Sequence, residues 1–318
     1  MNKNTSHFSL ISPSTKALYR EGKAMKSYTF WDFIHGYVYG RWPYLYIGIG
    51  KGQHPIVKTL KPIFRIWGKL FPKKDDGVTR IPSVTQASGT TADGYHGKVT
   101  PLEQAKRLVT INEPISIEDL EQVIPYVRAR AIIQENPEKI IVIECPCRSA
   151  MSNPCLPLDV CLIIGEPFAS FVSEHHPKRS RWITQEEAIR ILEEEDARGH
   201  VHHAFFKDAM LGRFYAICNC CSCCCGAMNA HKNGTPMLAS SGYVAEIDED
   251  TCQSCFTCGD YCQFGAIDYS NGVGHVDETL CMGCGICVDK CPDEAITLRR
   301  ESSKGIPLEI LKLMEGVE

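Results

Sequence analysis

Cysteine is absent from the first 144 and the last 27 residues of this 318-residue chain, yet eighteen of them crowd between Cys145 and Cys291. No apolar run approaches the roughly 18 to 20 residues that a bilayer-crossing helix needs, which argues against a helical membrane span. The opening residues, MNKNTSHFSL, show no apolar stretch ahead of a small-residue cleavage site. This argues against general secretory export and predicts a cytoplasmic, reducing setting. No G-x-G-x-x-G follows a strand pattern, so the usual dinucleotide fingerprint is missing. Basic residues are scarce where acids abound: residues 243–298 hold one Lys against eleven Asp and Glu, whereas residues 1–80 hold fourteen Lys and Arg against four acids. The two ends therefore face different partners. No nucleic-acid-binding module accompanies the basic end, which argues against a nucleic-acid partner.

The cysteines that are present fall into short clusters, the spacing of ligand loops rather than of a disulfide framework. Cys252, Cys255, Cys258 and Cys262 recur 29 positions later as Cys281, Cys284, Cys287 and Cys291, and Ala266-Ile267 recurs as Ala295-Ile296. This is a duplicated unit. Each half reads as a strand, a cysteine loop, a helical turn and a second strand, with Val244–Ile247 and Gly265–Tyr269 in the first half and Val273–Val276 and Ala295–Leu298 in the second. A C-x2-C-x2-C-x3-C run places three sulfurs on one tight loop, the donor set of a cubane iron–sulfur cluster. Four-cysteine zinc sites instead use two C-x2-C knuckles separated by a longer spacer.

At these residues the chain resembles the bacterial two-cluster ferredoxins over about 55 residues, including Gly283, Gly285 and Pro292. Gln263 departs from the pattern, standing where that family usually has proline. The resemblance implies two 4Fe-4S clusters with crossed ligation: Cys252, Cys255, Cys258 and Cys291 for one, Cys281, Cys284, Cys287 and Cys262 for the other. It also implies low-potential electron transfer.

Ten further cysteines stand upstream: Cys145, Cys147, Cys155 and Cys161, then Cys218, Cys220, Cys221, Cys223, Cys224 and Cys225. Six in eight positions exceed what core filling explains. The apolar run Lys139–Ile143 reads as a buried strand that delivers Cys145 and Cys147 to a loop, and Phe214–Ile217 feeds the second group in the same way. One loop seldom wraps a cluster with neighbouring thiolates, so each centre here is expected to draw sulfurs from both segments, giving one or two additional Fe-S clusters. The segments around Cys145–Cys161 and Ile217–Gly226 resemble a cysteine-rich domain (C-x-C…C…C plus C-N-C-C-x-C-C-C) of ferredoxin-domain iron–sulfur proteins from anaerobic bacteria. That resemblance implies a redox role in anaerobic metabolism and no particular substrate. The dense run is similar in composition to the non-cubane site of heterodisulfide reductases, whose C-C-G spacing is not reproduced.

Ser116 and Asp119 have capping-box spacing ahead of an apolar pattern over 117–133, which predicts a helix. A second helix is expected from the cap Thr184 to Gly199, followed by a strand at His200–Phe206. His200 and His202 share a face of that strand, which offers a metal-ligand pair, although ordinary surface or satisfied core positions are the commoner reading; Arg148, next to Cys147, is read as a surface residue, with stabilisation of a reduced cluster as the alternative. Residues 28–50 are rich in aromatics, and residues 56–71 alternate apolar and basic positions as an amphipathic helix. Such a helix covers its own core, docks on a partner subunit, or lies on a membrane surface.

The expected architecture is α+β: a basic aromatic arm (1–75), a linker (76–100), a cysteine-rich α/β middle domain (101–242), a (βαβ)2 dicluster ferredoxin-like domain (243–300) and a tail (301–318). The expected function is an electron carrier, or a subunit of an oxidoreductase complex, serving a redox partner enzyme. Two alternatives stay open: a reductase with a catalytic cluster in the middle domain fed by the ferredoxin domain, and a middle domain whose cysteines hold structural zinc.

Overall fold

The computed structural model describes residues 11–26, 28–52, 95–113, 115–118, 120, 123, 131–270 and 273–315. The amphipathic segment 56–71 lies outside them. The chain opens with α1 (Pro13–Ala24), α2 (Phe30–Arg41) and α3 (Pro43–Gly50). Ser12 caps α1, and Thr29 with Asp32 forms a full capping box on α2. Next come β1 (Tyr95–Val99), α4 (Leu102–Val109), β2 (Ile115–Glu118) and the long β3 (Ala131–Glu144). The short α5 (Pro146–Ser149), β4 (Asp159–Glu166), α6 (Phe168–His175), β5 (Ser180–Ile183) and α7 (Gln185–Ala197) follow. Then β6 (Val201–Lys207), β7 (Arg213–Cys220), α8 (Gly226–Lys232) and β8 (Leu238–Ala239) complete the middle of the chain.

Strands β1 to β8 form one mixed sheet in the order β2-β3-β4-β7-β6-β1-β8, with β5 on the other edge of β3. Side chains alternate across it with period two. Ile141, Ile143, Cys161, Ile163, Phe205 and Tyr215 point to one face, which α1, α6 and aromatics of α2 cover. Ile140, Val142, Leu162, Ile164, Phe206, Phe214 and Ile217 point to the other, packed against α4, α7 and Leu308 and Ile310 near the C-terminus. The run Lys139–Ile143 is thus apolar throughout because both faces are covered.

Two expectations are corrected. The helix expected over 117–133 is replaced at both described ends by strands, Ile117 and Glu118 pairing antiparallel with Ile132 and Ala131. β-branched Ile117, Ile132 and Ile133 suit a pleated surface better than a helix, and the sheet edge outweighs the capping signal. The linker expected to reach residue 100 gives way to β1, which pairs with β6 over its whole length and with β8. Its sequence, YHGKV, hides the strand because the polar side chains of His96 and Lys98 are buried. Lys98 is 1 % exposed, and its ammonium donates to the carbonyls of Val123 and Ile306 at 2.8 and 2.7 Å. Burial pushes its pKa down to about 7.

The region expected as a separate arm lies against the sheet where it is described. Leu18 is fully buried, and Tyr28, Phe33, Tyr37 and Tyr39 pack on the same cluster. Tyr28 donates to the carbonyl of Ala209 at 2.8 Å, and Tyr39 and Tyr215 share a hydroxyl contact of 2.8 Å.

The C-terminal unit contains β9 (Tyr243–Ile247), α9 (Thr257–Tyr261), β10 (Ile267–Ser270), β11 (Val273–Val276), α10 (Ile286–Asp289) and β12 (Ile296–Arg300). β9 pairs antiparallel with β12, and β10 with β11. The two halves of the repeat therefore share their strands instead of folding side by side. A last helix, α11 (Ile310–Glu315), follows. Among the described residues no helix is long and apolar enough to cross a membrane.

Candidate iron–sulfur and metal centres

In the C-terminal unit, Cys252, Cys255, Cys258 and Cys291 line one small cavity of about 20 Å³, together with Tyr269 and Ile296. Cys262, Cys281, Cys284 and Cys287 line a second of the same size, with Phe264, Ile267, Ile286 and Leu298. The structure thus gathers three sulfurs from each loop with the fourth from the other. Backbone N–H groups of Ala245, Ala266 and Ala295 donate to the sulfurs of Cys281, Cys262 and Cys291 at 3.4, 3.2 and 3.3 Å. Such bonds favour a negatively charged sulfur and raise a cluster's potential. Burial pushes the Cys284 thiol up to about 12, so ligation to a metal, which displaces the proton, is what would ionise it. Gly283 and Gly285 hold φ at 62° and 90° in the second loop, a region that favours glycine.

The middle cysteines divide four and six. Cys155, Cys221, Cys223 and Cys224 bring their sulfurs within 4.8 Å of one another, the one such group among the described residues. Cys155 and Cys223 lie 3.2 Å apart, and Cys223 and Cys224 3.6 Å. A tetrahedral thiolate site with metal–sulfur bonds of about 2.3 Å has sulfurs about 3.8 Å apart. The donor set and its crowding therefore fit a single tetrahedral ion.

The other six, Cys145, Cys147, Cys161, Cys218, Cys220 and Cys225, line one cavity, and each affects the proton affinity of a neighbouring thiol of the set. The sheet places them. Ile143 sits opposite Cys161, Cys161 opposite Cys218, and Cys220 two residues further on the same face. Both cysteine loops leave strand ends, and thiols from both segments meet. Hydrogen bonding to Cys147, with burial added, pushes Cys145 up to about 12. A thiol so raised is a poor nucleophile, so a metal is the fitting partner for this set.

Arg148 is corrected from a surface residue to a buried one, 1 % exposed. Its guanidinium donates to Glu195 at 2.5 Å, to the carbonyls of Pro157 and Asn219 at 2.5 and 3.0 Å, and meets His200 at 3.0 Å. Although burial opposes the charge, bonds from His200 and Arg148 hold the Glu195 carboxyl below its ordinary range. His200 therefore belongs to an ion-pair network, and His202 meets Asn219 at 2.6 Å and Asp196 at 3.5 Å. Neither meets a second histidine as a ligand pair.

Two residues escaped the sequence reading. Lys51, just past α3, donates to the carbonyls of Cys147 and Cys224 at 2.9 and 2.6 Å, tying both cysteine loops to the N-terminal helices; nothing in the sequence marked it. Gln263 accepts a hydrogen bond from the backbone N–H of Ser222 at 2.8 Å. The departure from proline beside Cys262 was its signal. The bond joins the loop of one ferredoxin cysteine set to the dense run of the middle region. Tyr261 packs against Gly199, where an added Cβ would lie 2.5 Å from its ring, so the two units touch closely.

Residues 275–297 match the family described as the 4Fe-4S binding domain. A search of the curated proteins found no match. The matched stretch contains Cys281, Cys284, Cys287 and Cys291, so the chain carries a ferredoxin-type 4Fe-4S binding domain at its C-terminal end, the mark of iron–sulfur electron transfer.

Proposed function

We propose that the protein relays low-potential electrons through two 4Fe-4S clusters to further metal centres in the middle region, serving a partner redox enzyme. The observation that carries this reading is the pair of four-thiol chambers with crossed membership, hydrogen-bonded through Gln263 to the loop bearing Cys218–Cys225. Cys252, Cys255, Cys258 and Cys291 would hold one cluster, and Cys262, Cys281, Cys284 and Cys287 the other. Bound there, the clusters supply one-electron redox chemistry. The chain's own contribution is N–H donation to sulfur, apolar cover and a fixed contact between units. The six-thiol set suits a further Fe-S cluster, and the Cys155 set a single tetrahedral ion. A partner is supported by the exposed aromatics of α2 and its C-terminal neighbour, Phe30 at 59 %, Trp31 at 76 % and Trp42 at 45 %, and by the acidic surface of the C-terminal unit.

Metal analysis tests the assignment. Anaerobically purified protein is expected to hold about eight irons from the ferredoxin unit, more from the six-thiol set, and about one tetrahedral ion. About four irons per chain would sink the two-cluster reading. A second measurement probes the relay. Gln263→Leu removes a hydrogen bond worth about 1 kcal/mol while leaving every thiol in place. Iron content should hold, and redox equilibration between the ferredoxin unit and the middle centres, followed by rapid-freeze EPR after a dithionite pulse, should slow. An unchanged rate would remove this contact from the electron path.

A further inference from the structure

Between the six-thiol face of the sheet and the helices α2 and α3 lies a cavity of about 550 Å³. The two four-thiol chambers of the C-terminal unit leave about 20 Å³ each. The volume is more than twenty times that of either chamber. The volume falls in the range of small-molecule pockets, about 300 to 1,000 Å³.

Its walls have the composition of such a pocket as well. Tyr39, Tyr46, Phe171, Phe205, Met210 and Tyr215 supply apolar and aromatic surface. Among the described residues, Lys51, Arg148 and Lys207 are the charged ones of the lining; Asp208, the carboxylate that acts on Lys207, is not part of that described lining. The two chemistries occupy opposite ends. Cys218 pairs with His203 on β6, and Lys207 stands four residues further along that strand, about 13 Å away at 3.3 Å per residue. There the Lys207 ammonium lies 4.8 Å over the Tyr39 ring and 5.7 Å from that of Tyr46. Lys207 is 5 % exposed, so its charge acts in a poorly solvated setting, where attraction to an anion is strong.

We propose that this cavity binds a small aromatic or alicyclic carboxylate, its acid group at the Lys207 end, its ring among Phe171, Phe205 and the tyrosines, and its far edge at the six thiols. The site deepens the reading that those thiols hold a redox centre, and rests on it for what the far edge meets. A cationic molecule is disfavoured by the lining, and a polar one by the aromatic walls.

The test uses the full-length protein, purified anaerobically, with 4-fluorobenzoate and 6-fluoro-2-naphthoate as probes followed by fluorine NMR. Saturable binding of at least one probe is expected, with line broadening that increases when dithionite changes the spin state of a nearby centre. Lys207→Met should weaken binding at least about tenfold, the loss of one charge-assisted contact. Ala216→Phe, which fills the floor of the cavity, should abolish it, and Ala230→Trp does so from a different wall should the first variant fail to fold. Failure of both probes to bind, or binding that survives both filling variants, would overturn the proposal whatever the iron content. Saturable binding without broadening, on protein whose iron stops at about eight, would support the site and remove the redox centre from the six thiols. Iron in excess of that number, with no binding of either probe, would give the volume to a larger cluster and overturn the site alone.

Discussion

Arg148→Met is expected to destabilise the protein by about 3 kcal/mol, because it removes the fully buried guanidinium partner of Glu195 and leaves that carboxylate to His200 and to the more exposed Arg198 at 3.2 Å. The two side chains are each 1 % exposed and 2.5 Å apart. The cost reaches beyond the ion pair. Arg148 also ties Pro157 to Asn219 through their carbonyls, and these residues flank Cys155 and Cys161 on one side and Cys218 and Cys220 on the other. Metal bound by the middle cysteines should fall with the stability, while the 4Fe-4S signals of the C-terminal unit persist. Urea denaturation under anaerobic conditions reads the first effect and metal analysis the second. Arg148→Met combined with Glu195→Leu should recover much of the loss, since two apolar side chains replace a buried pair at little cost. A double variant as unstable as the single one would show that packing, not stranded charge, is the cause.

The second large effect is expected at Gly283. Its backbone sits at φ 62°, and an added Cβ would collide with the carbonyl oxygen of Tyr243 and the hydroxyl of Ser241. Gly283→Ala therefore pays about 1 to 2 kcal/mol for the left-handed conformation and must also displace β9 or the loop. Because Cys281, Cys284 and Cys287 all sit on that loop, the protein should lose about four irons, those of the cubane that these thiols would hold. Gly285 serves as the control. Its φ is 90°, but the nearest atom to an added Cβ is Leu298 at 3.6 Å, so Gly285→Ala should keep most of the iron. Equal losses from the two variants would mean that backbone conformation alone, and not the contact with Tyr243, sets the outcome.

Much of the C-terminal unit was legible because its signals are local. A three-residue spacing of thiols, glycines at left-handed positions and a repeat displaced by 29 residues need no knowledge of the rest of the chain. The same holds for α7, whose cap Thr184 accepts from the N–H of Glu187 and whose end is marked by Gly199 at φ 78°. Strands feeding cysteine loops were legible too, since β3 and β7 are apolar up to the loops they deliver. What escaped depends on distant partners. Lys98 and His96 look like loop residues until the sheet around them is assembled. Arg148 looks like a surface residue until Glu195, 47 positions later, arrives beside it. The four-and-six division of the middle thiols follows from the pairing of Cys161 with Cys218, which no spacing along the chain encodes. The cavity is less visible still, because its roof comes from residues 39–51 and its floor from the strands.

That roof also sets an order of events in biosynthesis. Lys51 reaches its final position only when the carbonyls of both Cys147 and Cys224 exist to receive it. Lys51 is made 173 residues ahead of Cys224, the later of its two acceptors. A chain cut short before Cys224 therefore cannot tie α3 to both cysteine loops, and the roof of the cavity is fastened only once both loops have been made.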